Sequence, residues 1–315
     1  MRTGLIIFLL ITWLTNSFAQ QPNEDSVDNI RLAQMVSLSE VVVRSNLDVA
    51  RFINQIKKDT SFYKAFKNLR VLSFTSSNDI LMRDKKLQPV ARLISKTRQL
   101  RVGGCRTMQV LEEKTQGDFY DSRGDYNYYT AELYAGLFFT RGSVCGETNR
   151  VGNLQFNPNA QRGMAKHKQQ LKMLLFNPGQ KIPGIPLIGD KVDLFDPERA
   201  KLYDFVIDYA DHGGEPCYLF SVKAKEDLRS GERDRIVLDR MDTWFSIRTM
   251  EVLARHYTMS YDAGVYDFKV QMEAEMTRFN NLIVPSTLRY VGDWDVILKK
   301  RERGVFTATL YNFEK

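Results

Sequence analysis

The chain has few of the side chains that carry chemistry at short spacing. Only three histidines occur, His167, His212 and His256, far apart and with no second histidine or cysteine at ligand distance, which argues against a zinc site. No glycine-rich loop opens a helix at phosphate-binding spacing, and no Gly-x-Ser-x-Gly elbow is present. Nucleotide-binding and serine-nucleophile readings therefore lack their residues, and neither a metal nor a cofactor is expected. A nucleic-acid recognition motif is also missing, so nucleic acid is not an expected partner.

Long apolar runs are scarce as well. The one that stands out, Leu5 to Leu14, follows Arg2 and precedes Ser17-Phe-Ala19, the order of a secretory signal ending at Ala19. At roughly ten residues it falls well short of the ~20 that span a bilayer. The mature chain is expected to begin at Gln20, exported to a periplasmic or outer-membrane-associated location in preference to an extracellular one. Because no cysteine follows the cleavage point, a lipid anchor there is not expected. Export permits disulfides, and three cysteines leave at least one thiol over. Cys105 and Cys145 stand beside glycines in turn-like sequence, whereas Cys217 lies in an apolar strand pattern. The expected pair is Cys105 with Cys145, and Cys217 is expected to be a buried thiol.

Charge of either sign is not concentrated. The formal net charge is +7 over 315 residues, and removing Arg2 leaves +6 on a chain where acids and bases intermingle. That is a mildly basic surface, able to make peripheral contact with anionic membranes. The densest basic run, Lys299-Lys-Arg-Glu-Arg303, is read as a solvated hairpin tip or a patch for an acidic partner.

What the chain does have is alternation. From Tyr266 to Met276 every even position (Tyr266, Phe268, Val270, Met272, Ala274, Met276) is apolar and every odd one polar. Successive side chains of a strand point to opposite faces, so this stretch, about twice the usual strand length, predicts one oily and one hydrated sheet face. Further strands are expected at Leu87–Val102, Arg106–Glu112, Tyr203–Tyr209, Cys217–Lys225, Arg235–Trp244, Val252–Tyr261, Leu282–Tyr290 and Gly304–Phe313. Ser39–Val43 reads as a short first strand within an N-terminal extension covering residues 20–44, and Pro285 implies that its strand lies at an edge or begins there. Val49, Phe52, Ile53 and Ile56, then Phe62, Tyr63, Phe66 and Leu69, fall at helical spacing after possible caps at Ser45, Asn46 and Asp59-Thr-Ser. Ala131–Phe139 is read as a helix, with a buried strand as the alternative, and a basic amphipathic helix is expected over 163–176. The fold class that results is mainly β (α+β), one domain over 45–315. It is a long curved antiparallel sheet, half-barrel or open barrel, covered by a few amphipathic helices.

Two expectations about a site follow. The oily face of the central strand, Tyr266, Phe268, Val270 and Met272, is the candidate apolar groove. The Pro/Gly-rich loop bearing Ile182, Ile185, Leu187 and Ile188 is the candidate lid, since so apolar an irregular loop must rest on something. Glu273 and Glu275 share the hydrated face, where a carboxylate pair is the one opening for an enzyme; the expectation is that none of it is catalytic.

Two local stretches carry a resemblance. Leu38-Ser-Glu-Val-Val-Val43 followed by Asp48-Val-Ala-Arg-Phe-Ile53 resembles the segment after the carboxypeptidase-regulatory-like domain in a family of Gram-negative outer-membrane proteins, with no counterpart here of that sandwich domain. Gly214–Phe220 and the hairpin Thr243–Val252 look like the same family's periplasmic part and like the strand-turn-strand units of the lipoprotein-localisation factors. That resemblance implies a curved sheet closed by helices around a hollow for acyl chains. Lipid or lipoprotein is then the implied partner; a filled module contacting other envelope proteins is the alternative.

Overall fold

The computed structural model describes residues 24–44, 47–151, 174–181, 188–262, 266–296 and 301–315. The signal segment, the caps Ser45 and Asn46, the basic helix over 163–173 and the lid residues Ile182, Ile185 and Leu187 lie outside them. So do Lys299 and Lys300. No helix among the described residues is long and apolar enough to cross a membrane.

One curved, open sheet of twelve strands organises the chain. In chain order these are β1 Val36–Leu38, β2 Ser73–Arg83, β3 Pro89–Val102, β4 Cys105–Gly117, β5 Val144–Cys145 and β6 Tyr203–His212. They continue with β7 Glu215–Ala224, β8 Leu238–Ser246, β9 Val252–Asp262, β10 Tyr266–Phe279, β11 Leu282–Val296 and β12 Glu302–Glu314. Across the sheet the order is β1, then β6 through β12, then β2 through β5. Every pairing is antiparallel except β1 with β6. The sequential hairpins are as expected from the pattern. The long-range pairing of β12 with β2, which joins the first and last thirds of the chain, was not anticipated.

β10 carries the alternation that predicted it. Phe268, Val270, Met272 and Ala274 are buried, and Lys269 and Gln271 are exposed. The inner face is covered by helices α1 Glu24–Gln34, α2 Glu40–Arg44, α3 Val49–Lys58, α4 Ser61–Asn68 and α5 Tyr129–Phe138, with short turns α6 Pro197–Ala200 and α7 Ser230–Arg233 at the margins. Asp48 caps α3 by accepting from the Arg51 amide at 3.0 Å, and the helix sends Phe52 edge-on into Tyr218, Phe220 and Phe245 of the sheet. α4 is pinned by the Asn68 amide, which donates to the Ile283 carbonyl at 2.7 Å.

Two sequence expectations are corrected and one unexpected strand is added. Ser39–Val43 is not a strand: β1 ends at Leu38, the Val43 amide donates to the Ser39 carbonyl at 3.0 Å, and the run coils into α2. Tertiary packing overrides its β-branched propensity, since a helix buries Val42 and leaves Val43 outside. Pro285 is not on an edge strand, because β11 lies between β10 and β12. Its missing amide is tolerated at a bulge, where the register slips from Glu275↔Thr287 to Met276↔Pro285. β2 escaped the sequence reading altogether. Its inward row is Phe74, Ser76, Asn78, Ile80 and Met82, so two buried polar residues interrupt the apolar alternation.

Candidate functional site

The residues expected to line a groove sit under the helical cover. Phe268 stacks on Trp294 with ring centres 4.8 Å apart, and neighbouring Tyr257 donates its hydroxyl to the Leu175 carbonyl at 2.6 Å. Burial holds that phenol well above its ordinary pKa. Tyr266 opens the strand, and its side chain lies outside the described residues. Of the expected lid, Ile188 is buried among core side chains.

The open space is elsewhere on the inner face. A cavity of about 80 Å³ lies between α4, the short 3-10 turn Leu69–Val71, α5 and the strands β12, β2 and β3. Its walls are Phe66, Phe74, Leu137, Phe138, Phe176 and Leu310. The rings pack tightly: Phe66 to Phe176 is 4.3 Å between centres and Phe138 to Phe306 is 5.2 Å. Such a volume has room for about three waters at liquid density. Complete small-molecule sites usually offer about 300–1,000 Å³.

The mouth is polar and built from distant parts of the chain. Gln99 of β3 donates to the Leu69 and Leu72 carbonyls at 2.7 and 2.8 Å, which fixes its side chain, and its oxygen accepts from Thr140 at 3.2 Å. Lys67, Arg70 and Arg106 face the opening. Between the two arginines stands Glu147: Arg70 Nη1 lies 3.1 Å from Oε1, and Arg106 donates from Nε to Oε2 and also reaches Thr140. Three cations thus share one carboxylate. Burial, and then the Arg70 charge, hold the Lys67 ammonium below its ordinary pKa; burial and Arg150 do the same to Lys64.

Local structure places Glu147. Cys105 and Cys145 are joined by a disulfide, and they also pair in register between β4 and β5. Gly146 follows at φ +72°, a left-handed conformation that favours glycine, and turns the chain back toward α4. There the Asn149 amide donates to Asn68 at 2.8 Å, and Lys64 donates to the Asn149 carbonyl. Cys217 is a free, buried thiol with its pKa pushed up to about 11, chiefly by burial.

On the outer face the two glutamates part company. Glu273 accepts from Gln271 at 2.9 Å, while Glu275 binds His212 and His256 at 2.8 and 2.7 Å through its two oxygens. Trp244 lies between the imidazoles, 5.4 Å from His212 and 4.9 Å from His256. No group of ligands able to hold a metal ion occurs among the described residues. This cluster was invisible in the sequence, where the histidines are isolated; only strand register brings His256 opposite Glu273 and beside Glu275. The described half of the basic tip is neutralised, Arg301 by Asp267, Asp293 and Asp295, and Arg303 by Asp293.

No protein-family model matches the chain, and no curated protein does. Among solved structures it is similar to a DUF1329 family protein from Desulfovibrio piger, at 10% identity over 81% of this chain and 91% of that one, with a TM-score of 0.25. A domain described as belonging to an outer membrane lipoprotein-sorting protein of Vibrio parahaemolyticus is 6% identical over 80% and 92%, with a TM-score of 0.26. Lipovitellin is 9% identical over 78% of this chain and 25% of its own, with a TM-score of 0.28. Scores this low leave the functional reading to the chain's own residues.

Proposed function

We propose that this is an exported, non-catalytic protein of the periplasm or outer-membrane surface that takes an acyl chain of a lipid or lipoprotein against the inner face of its sheet. The observation that carries the reading is the cavity between α4, α5 and the β12–β2–β3 part of the sheet, where aromatic and aliphatic side chains meet a few polar ones, Ser76, Gln99, Lys67, Arg70 and Arg106. An apolar pocket with a few convergent polar groups is the usual form of a small-molecule site. At about 80 Å³ it holds the tip of a chain as it stands. A longer chain requires Phe138 and Phe176, on the covering layer, to swing aside.

Native mass spectrometry of the protein isolated from a Gram-negative envelope tests this, together with titration of a fluorescent acyl probe. A co-isolated lipid, and probe binding weakened by Leu137→Trp, are the expected results. Protein that carries no lipid and binds no probe ends the proposal.

A second reading is a module of an envelope assembly with a filled core. What favours it is the close packing of Phe268, Val270 and Met272, which leaves that part of the sheet no room for a ligand. Crosslinking in intact envelopes would recover its protein partners, and a partner set unchanged by reversing the charge of Arg301 counts against the basic tip as the contact.

A further inference from the structure

Two arginines of the cavity wall, Arg70 and Arg106, are joined by an anion of the protein's own. Glu147 follows β5, and its carboxylate is their shared partner at the edge of the cavity lining. We propose that the place this carboxylate occupies is the seat for the carboxylate of a single-chain amphiphile, a fatty acid, and that Glu147 is the internal occupant the ligand displaces. The inference rests on the acyl-binding reading above and adds a headgroup to it.

Several observations converge on that chemistry. Two guanidinium groups aimed at one point suit a planar carboxylate, whose two oxygens each accept a charge-assisted hydrogen bond. A third cation, Lys67, lines the same opening, so the mouth keeps surplus positive charge when Glu147 is seated. The same cavity wall that bears Arg70 and Arg106 also carries Phe66, Phe138, Phe139 and Phe176. A ligand with charge at one end and hydrocarbon at the other meets both zones, whereas a small inorganic anion would leave the aromatic zone unused.

Exchange of one carboxylate for another conserves the arginine contacts, so the preference must come from the tail. Each additional buried methylene is expected to tighten binding about fourfold until the apolar zone is filled. The resident glutamate lowers apparent affinity by the fraction of time it holds the seat. The disulfide keeps that competitor close, because Glu147 lies two residues beyond Cys145, which is bonded to Cys105.

The test is a calorimetric series on the oxidised, full-length native protein with decanoate, decanol and inorganic phosphate. Decanoate is expected to bind at least tenfold more tightly than decanol, and phosphate to bind far more weakly than decanoate. In Glu147→Gln decanoate should gain roughly three- to tenfold, and in Arg106→Gln it should lose at least tenfold. Decanol equal to decanoate overturns the headgroup seat and leaves acyl binding standing. Phosphate as tight as decanoate makes this a plain anion site and overturns the amphiphile. If neither decanoate nor decanol binds, both readings fall. The headgroup series needs no variant, so a misfolded Arg106→Gln does not rescue the proposal.

Discussion

Arg255 of β9 lies fully inside the protein with its Nη2 3.9 Å from the Asp59 carboxylate, which stands at the junction of α3 and α4. The guanidinium also sits 4.5 Å from the centre of the Phe62 ring and donates to Thr243 at 3.1 Å. One buried ion therefore links the sheet to its helical cover, opposite Ala274 of the central strand. The apolar face is not apolar throughout.

That arrangement predicts unequal mutations. Asp59→Asn keeps the acceptor for the Ser61 amide yet leaves the guanidinium without its carboxylate, and should cost about 3 kcal/mol. Asp59→Asn combined with Arg255→Met removes both buried charges at similar volume, so a smaller loss, within about 1 kcal/mol, is expected. Urea unfolding of both variants decides the matter; equal losses would sink this account of the pair.

Glu302 of β12 caps a helix 172 residues away in sequence. Its carboxylate accepts from the Tyr129 and Thr130 amides at 2.9 and 2.8 Å and from the Thr130 hydroxyl. Tyr128, at the N-cap position of α5, makes no capping bond, its hydroxyl donating instead to Asp118 at 2.7 Å. Glu302→Ala should lower stability by about 1–2 kcal/mol. Hydrogen exchange should show faster opening of α5 than of β9, and uniform change across both would refute the cap.

The outer-face cluster predicts a pH optimum for its contribution. The hydrogen bond to Glu275 raises the His256 pKa, so its stabilising effect is full below the ordinary 6.5 and fades as pH climbs through the raised folded value. The bond to His256 lowers the Glu275 pKa, so that share is full above the ordinary 4.5 and fades as pH drops through the depressed value. Glu273 and Asp242, which also face His256, act in the same direction on it. The difference in unfolding midpoint between wild type and Glu275→Gln should be greatest between pH 4.5 and 6.5 and smaller at pH 9. A difference independent of pH would remove this role.

The Cys105–Cys145 bridge closes a separation of 40 residues, and reducing it should cost about 2–4 kcal/mol. A thiol titration of denatured, unreduced protein should count one group, Cys217, and a count of three would contradict the bridge.

Much of the sheet was legible because its faces differ chemically. β10 announces itself, since each inward residue from Phe268 to Ala274 is apolar and each outward one polar. β2 does not, because Ser76 and Asn78 point inward; their demands are met by hydrogen bonds within β2 and to Ser95 and Thr97 of β3, invisible before the strands are paired. Ser39–Val43 misled for a related reason: propensity is weak beside the burial of one side chain, Val42.

The sequence by itself determined the period of each strand, the side it turns to water and the stripes of α3 and α4, because these depend on neighbours within a few residues. Only the tertiary structure decided that β12 lies against β2, that two histidines meet on Glu275, and that Arg70 and Arg106 meet on Glu147. Those contacts join segments tens to hundreds of residues apart, and a local pattern of side chains carries no record of which distant strand will pair beside it.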